Sequence, residues 1–218
     1  YVLDNKIGLC TTIKLNRSGG VIPNILEVLT PADEPILPKI PKSQYTLNNT
    51  NTDFVLNDLE SDPNVLLKKI VGFFKEIEVS SLKEGNIKKL IGAGHNSIEK
   101  ILKLSIDDLL KIDNFKEKMA KKIHDSIQKQ IKEASLTKIA SASNIFGRGF
   151  AETRIKLITN SYPNILTTKA TTIKEKEELI NKVKSVEGLA IKSARQFVEG
   201  LTPFQKFLKE ANIDTKQS

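Results

Sequence analysis

Cysteine is nearly absent from this chain, because Cys10 is the only one among 218 residues. A single thiol excludes an internal disulfide framework and any zinc site built from several cysteines. This usage favours an intracellular compartment. We expect Cys10 itself to be a small residue in a strand.

Long apolar runs are also missing. No stretch reaches the length needed to span a bilayer, and the start, YVLDNKIG, has neither a basic n-region nor an apolar h-region. We therefore expect no membrane partner. The chain begins with tyrosine instead of methionine, and we expect it to be a piece of a longer polypeptide.

Positive charge is what the chain has in excess. Its 34 Lys and Arg residues outnumber 26 Asp and Glu residues and give a net charge of +8. Such a surplus typically indicates a polyanion partner. Coding bias in an A+T-rich genome is the alternative, since lysine, isoleucine and asparagine are abundant together.

The first 63 residues contain the β-structure signals. Residues 7–29 alternate apolar and polar side chains around Ser18-Gly19-Gly20, which predicts two strands joined by a tight turn. Two strands form no stable sheet alone, so we interpret residues 1–37 as part of a β-barrel. Residues 38–63 are rich in proline and polar residues, which predicts a connector without regular structure except a short strand near residues 53–56.

Helical patterns begin at Pro63, which follows an N-cap signal in the sequence SDPN. Helix pairs then repeat to residue 212, and Ser105 with Asp108 forms a capping-box pattern at one of them. Each pair is too small to hold a core by itself, so the pairs should stack around one continuous core. The sequence thus predicts a mainly α domain at residues 64–212, followed by a tail at residues 213–218.

Four short turns interrupt this region, at residues 81–85, 113–118, 146–150 and 187–192. A turn that opens a helix leaves backbone N–H groups unpaired at the positive end of the helix dipole, which suits a phosphate oxygen. A plain connector is the alternative for each turn. The turns also carry glycines that permit close approach and cations beside them; these are Gly85, Gly147, Gly149 and Gly188, with Lys83, Lys116, Lys118, Arg148 and Lys192.

Other candidate functional residues are few. We interpret Phe115 and Phe146 as core anchors, whereas Phe150 could anchor the core or stack on a base. His95 and His124 have no cysteine or second histidine placed to complete a metal site. We therefore predict no catalytic residue and no metal ligand in this chain.

Four strings of this region carry a family resemblance: SLKEGNIKKLIGAG, LSIDDLLKIDNFKEKMAKKI, IASASNIFGRGFAETRIKLI and EELINKVKSVEGLAIKSARQFVEG. They resemble the four successive helix-hairpin-helix units of the NAD-dependent, bacterial-type DNA ligases. The upstream string RSGGVIPNI resembles the R-x-G-D-V-I-P segment in the later strands of that family's oligonucleotide-binding (OB) barrel. The resemblance extends over residues 7–212, and it implies a monomer that binds nicked double-stranded DNA through its hairpins, with Arg17 and Ala190 added to the contact residues.

The chain departs from the family pattern at several positions. It lacks the four-cysteine zinc module between barrel and hairpins, and Gly20 stands where the family has Asp. The first two hairpins lack both family glycines, which are replaced by Ser81 with Lys83 and by Asn114 with Lys116, and Ala190 replaces the second glycine of the fourth. Because Gly149 and Gly188 remain, we rank the third and fourth hairpins first for phosphate contact. Zinc-free, lysine-rich forms of this kind resemble those of large DNA viruses.

The family's reaction uses a lysine in a K-x-D-G motif that takes AMP from NAD and passes it to a 5′-phosphate at a nick. This chain has no K-x-D-G, so we expect the chemistry, with NAD and Mg²⁺, to lie in upstream sequence. Two alternatives remain open. One is a non-catalytic helix-hairpin-helix module for DNA junctions or repair, and the other is a helical protein scaffold.

Overall fold

The computed structural model describes residues 1–19, 22–37, 39, 44–58 and 61–215. It divides into unit 1, Tyr1–Leu59, and unit 2, Glu60–Ser218. Within the described ranges the chain forms two small antiparallel β-hairpins in unit 1 and nine α-helices in unit 2. This confirms the predicted mainly α class with β-structure at the start of the chain.

The first hairpin joins β1, Thr12–Ser18, to β2, Ile22–Thr30, with Arg17 opposite Pro23. It confirms the predicted pair of strands, although Gly20 of the expected turn lies outside the described residues. The prediction placed the first strand too early. Residues 7–11 contain no strand, and Cys10 is an exposed turn residue with φ 63°, so the expectation of a strand position was wrong.

A second hairpin, β3 at Tyr45–Leu47 and β4 at Phe54–Leu56, lies where the sequence predicted an irregular connector with one short strand. The polar run between the strands is the reason. The side-chain oxygen of Asn48 accepts hydrogen bonds from the backbone N–H groups of Thr52 (3.0 Å) and Asp53 (3.4 Å), which closes a loop. The polar run that predicted an irregular connector therefore makes the turn of a hairpin.

Unit 1 buries little apolar surface. None of its described residues is fully buried, and the strand residues Leu15, Leu26 and Leu29 are each more than half exposed. The described strands pair only in twos and do not close into a barrel.

Unit 2 contains the nine helices and one short 3-10 helix at Ile165–Thr167. No described helix has both the length and the apolar character that crossing a bilayer requires. The helices are α1, Pro63–Glu76; α2, Glu84–Gly92; α3, Ile98–Leu102; α4, Ile106–Leu110; α5, Glu117–Glu133; α6, Leu136–Ser143; α7, Glu152–Ser161; α8, Ile173–Lys184; and α9, Ile191–Glu210.

Side-chain caps define where several of these helices begin. The Asp62 carboxylate accepts from the N–H groups of Asn64 and Val65 at 2.8 and 3.0 Å, with Pro63 in the first turn, as the sequence predicted. The predicted capping box at α4 is also present. The hydroxyl and backbone N–H of Ser105, together with Lys111, lower the pKa of Asp108 to about 2.

Four helix pairs pack around one continuous core that runs from Ile70 to Ile213. The pairs are α1 with α2, α4 with α5, α6 with α7, and α8 with α9. Stacking is therefore what gives these short helices a buried face, as the repeat pattern predicted.

Aromatic rings join the last two pairs. Phe146, which follows α6, stacks on Phe197 of α9 with ring centroids 4.8 Å apart and lies 5.4 Å from Phe204. Gly200 makes room for this packing, because a Cβ atom at that position would lie 2.6 Å from Cδ1 of Phe146. The segment after α6 is thus fixed against α9.

Candidate nucleic-acid interface

Each predicted turn overlaps the segment that connects the two helices of one pair. We number these connecting segments in chain order. Turn 1 is residues 77–83, turn 2 is 111–116, turn 3 is 144–151 and turn 4 is 185–190. Each ends with the same three positions: a residue with positive φ, a buried apolar residue, and an exposed N-cap of the next helix. These triplets are Ser81-Leu82-Lys83, Asn114-Phe115-Lys116, Gly149-Phe150-Ala151 and Gly188-Leu189-Ala190.

The first position of each triplet is left-handed, with φ 64° at Ser81, 68° at Asn114, 97° at Gly149 and 81° at Gly188. Glycine adopts this region without strain, and asparagine tolerates it better than most residues do. Ser81 is held there by the Asn86 amide, which donates to its carbonyl oxygen at 2.8 Å. Turns 1 and 2 therefore keep the left-handed backbone position although they have no glycine there.

The second position anchors the turn. Leu82, Phe115, Phe150 and Leu189 are all less than 8% exposed. Phe150, which the sequence left open between core and base stacking, belongs to the core in this structure. One buried apolar side chain thus anchors each turn to the core, while the residues on either side of it remain closer to the surface.

The third position is the N-cap of the helix that follows the turn. At this position the four helices differ from the other helices of unit 2. At α2, α5, α7 and α9 the N-cap residues are Lys83, Lys116, Ala151 and Ala190, and no described side chain caps these helices. The other five helices are all capped by a side chain, from Asp62, Ser97, Ser105, Ser135 or Thr172. In α2, α5 and α7 the third amide donates to the carbonyl oxygen of the N-cap at 2.9 to 3.0 Å. The first two amides of each uncapped helix are left for an external acceptor.

The structure places the predicted contact residues on these turns or just after them. Gly85, Lys118 and Lys192 are each the second residue of the helix that follows a turn, and all three are exposed. Gly147 is half-buried and Arg148 is exposed, both within turn 3. Arg17 is exposed on β1 of unit 1, and we therefore treat it separately.

Negative charge in the first helical turn would compete with a bound anion. Glu84, Glu117 and Glu152 hold such positions in α2, α5 and α7. Glu84 and Glu152 each pair at 2.7 Å with the lysine four residues later. The ion pair with Lys88 also lowers the pKa of Glu84. The first turn of α9 contains no acidic residue, so the start of this helix favours an anion more than the starts of α2, α5 and α7 do, although the exposed Glu187 lies within turn 4.

An open cleft of about 430 Å³ lies between α1 and turn 3. Three exposed cations border it, Lys68 and Lys69 from α1 and Arg148 from turn 3, and so does the exposed Glu76 of α1. Residues 147–151 form part of its wall. Neither lysine could be found from the sequence, because no local signal indicates that a helix 80 residues upstream borders this turn.

Two further side chains hold turns 3 and 4 in place. Arg154 of α7 donates from Nη1 to the carbonyl oxygen of Gly149 and from Nη2 to that of Gly188, both at 3.3 Å. Gln196 of α9 donates to the carbonyl oxygens of Phe146 (2.7 Å) and Arg148 (3.4 Å). Turns 3 and 4 are thereby connected to each other. Within the described ranges no hydrogen bond or ion pair joins turns 1 or 2 to turns 3 or 4.

The described residues contain no group of three or more His, Cys, Asp or Glu side chains that could hold a metal ion. The exposed surface of the turns offers backbone amides and cations beside the carboxylates of Glu78, Asp113 and Glu187. The amides and cations are the groups that suit an anion.

No protein-family model matches the chain. Among curated proteins it is 35% identical over 214 residues to the DNA ligase of Acanthamoeba polyphaga mimivirus, covering 97% of this chain and 32% of that protein. It is 31% identical over 196 residues to a protein named as a DNA ligase in Invertebrate iridescent virus 6, with 90% and 29% covered. A protein named as a DNA ligase in Invertebrate iridescent virus 3 is 29% identical over 171 residues, with 76% and 21% covered. The chain thus spans at most about a third of the length of these curated relatives, and over most of its own length it is homologous to viral DNA ligases.

Proposed function

We propose that this chain is the DNA-gripping part of an NAD-dependent DNA ligase. In this proposal unit 2 is an array of four helix-hairpin-helix units, and unit 1 is a remnant of an oligonucleotide-binding barrel. The chain binds nicked double-stranded DNA through its phosphates, and adenylation takes place elsewhere in the enzyme.

The observation that carries the proposal is the distribution of helix caps. Unit 2 satisfies the first-turn amides of five helices with side chains and leaves uncapped the four helices that follow the exposed turns. An uncapped helix N-terminus combines free N–H donors with the positive end of the dipole. Phosphate is the ligand such a site suits best, and the homology with DNA ligases supports a DNA backbone as its source.

The cations around the turns extend this footprint. Lys68, Lys69 and Arg148 border the cleft next to turn 3, and Lys192 with Arg195 follows turn 4. Amides and lysines recognise the phosphates and not the bases, so binding should be independent of sequence. This arrangement positions a duplex and brings no reacting group to it.

Titration of a labelled nicked duplex with the 218-residue chain, followed by fluorescence anisotropy, tests the proposal. Contact with two to four phosphates predicts that log K falls with log salt at a slope of about −2 to −4. Duplexes of unrelated sequence should bind equally well. A flat salt profile, or no binding at low salt, would contradict the proposal and favour a protein scaffold.

A four-way junction of the same length separates the ligase proposal from a junction module, because a junction module should prefer the junction. NAD dependence needs its own test on the complete ligase polypeptide. Nick joining should be supported by NAD with Mg²⁺ and not by ATP, and joining with ATP alone would refute that part of the proposal.

A further inference from the structure

Arg154 connects the two turns that carry glycine. Besides the bonds from its guanidinium to the carbonyl oxygens of Gly149 and Gly188, Nη2 donates to the hydroxyl of Ser193 at 3.3 Å. The side chain is half-buried, and its Cζ lies 5.4 Å from the centre of the Phe150 ring. One residue of α7 thus contacts the left-handed position of turn 3 and the equivalent position of turn 4.

These bonds fix the orientation of the backbone. The peptide group is planar, so a carbonyl oxygen held on one side also sets the direction of the N–H on the other side. In both turns that N–H is itself held, because Phe150 N–H donates to Gly147 O at 3.3 Å and Leu189 N–H donates to Val186 O at 3.2 Å. In each turn the peptide group that follows the left-handed glycine is therefore held at both its carbonyl oxygen and its N–H.

Arginine suits this role because its guanidinium is a rigid planar fork with five N–H donors and no acceptor. All three acceptors here are neutral, and no described carboxylate pairs with Arg154. Its positive charge is therefore not neutralised by a described carboxylate and can attract an anion near both turns. Such a charge adds to the positive ends of the α7 and α9 dipoles, beside which it lies.

We propose that Arg154 is a positioning residue that holds turns 3 and 4 in the relative placement needed to bind two phosphates of one duplex at the same time. The inference rests on the proposed function and deepens it. When two sites are rigidly joined, the second contact forms without a further loss of translational and rotational freedom. The contribution of turn 4 to affinity should therefore depend on Arg154.

This dependence can be measured with Gly188→Val, made in the wild-type chain and in Arg154→Met. In the wild-type chain we expect Gly188→Val to weaken binding of the nicked duplex on the order of tenfold, because Val is strained at φ 81° and turn 4 loses its shape. In the Arg154→Met chain the same change should cost less than about twofold, because turn 4 is no longer aligned with turn 3.

Two more variants separate positioning from charge. Arg154→Lys keeps the charge, but a single ammonium cannot reproduce the fork, so it should behave like Arg154→Met. Arg195→Met is the matched control, since it removes an exposed arginine from α9 close to turn 4. It should lower the overall affinity and the salt slope while leaving the effect of Gly188→Val unchanged.

Thermal unfolding of each variant checks that the chain is folded at the assay temperature, and Arg154→Lys decides the question if Arg154→Met does not fold. An equal effect of Gly188→Val in all backgrounds would overturn the role of Arg154 and leave the proposed function intact. Failure of the wild-type chain to bind the duplex at low salt would instead overturn the proposed function.

Discussion

Replacing Gly149 by valine tests whether the backbone of turn 3 itself touches DNA. Gly149 has φ 97°, beyond the left-handed region that L-residues tolerate, and its added Cβ would lie 3.4 Å from Nη1 of Arg154. Gly85 is the matched control. It lies in the first turn of α2, in a helical conformation, and a Cβ there would meet nothing within 4 Å.

The size of the expected effect follows from the backbone strain. A β-branched residue forced to keep φ 97° stores about 1 to 3 kcal/mol. If the free chain relieves this strain by leaving the left-handed conformation, DNA binding must restore it, and affinity should fall about fivefold to a hundredfold. Gly85→Val meets no strain, and valine is a slightly better helix former than glycine, so its stability should change by less than about 0.5 kcal/mol.

Anisotropy titrations of the nicked duplex at low salt, together with thermal unfolding, measure both quantities. The expected result is a clear loss of affinity for Gly149→Val and little change for Gly85→Val, with both chains folded. Equal losses would show that the ranking of turn 3 above turn 1 is wrong. Unchanged affinity in both would show that these glycines do not shape the DNA contact.

Three further predictions concern the cleft, the core and a cap. The double variant Lys68→Gln and Lys69→Gln should reduce the salt slope of DNA binding by about 1 to 2, with unchanged thermal stability; an unchanged slope would exclude the cleft from the interface. Gly200→Ala should destabilise the chain by about 1 to 3 kcal/mol because its methyl group overlaps a buried ring, whereas Gly72→Ala, inside α1 with nothing within 4 Å, should stabilise it by about 0.5 to 1 kcal/mol; urea unfolding that gave both the same sign would contradict this packing. The Asp108 pKa of about 2 lies below the ordinary value for Asp, so its stabilisation is present above about pH 4 and is lost as the pH falls toward 2. Asp108→Asn should therefore lower stability at neutral pH and reduce its acid sensitivity in that window, and thermal unfolding profiles that match the wild type across pH would refute the assignment.

Local signals in the sequence predicted much of the fold. The N-cap at Asp62, the capping box at Ser105 and the paired glycines after β1 each act within four residues, and the structure confirms the elements they indicated. The second hairpin was missed because no local signal indicates it. A run of Asn and Thr residues reads as irregular until the hydrogen bonds of Asn48 show that it closes a loop.

Contacts between distant residues could not be predicted this way. Arg154 reaches Gly188 across 34 positions, and Gln196 reaches Phe146 across 50. Neither residue type is unusual for an exposed helix, so only the stacking of the pairs reveals their partners. The sequence could locate the turns of the candidate site but not the side chains that hold them.

The four turns differ in the group that they would offer to a phosphate in the proposed complex, which is a lysine in two of them and the backbone in the other two. Turns 1 and 2 place a lysine at the N-cap itself, Lys83 and Lys116, and keep their left-handed position with serine and asparagine. A lysine reaches outward on a flexible stem, so it attracts a phosphate without requiring contact with the backbone. Turns 3 and 4 place alanine at the N-cap and glycine two residues before it, so no long side chain stands over their first amides. In the proposed complex a phosphate would have to meet this backbone directly, which requires accurate geometry, and we infer that this is why Arg154 joins these two turns and not the first two.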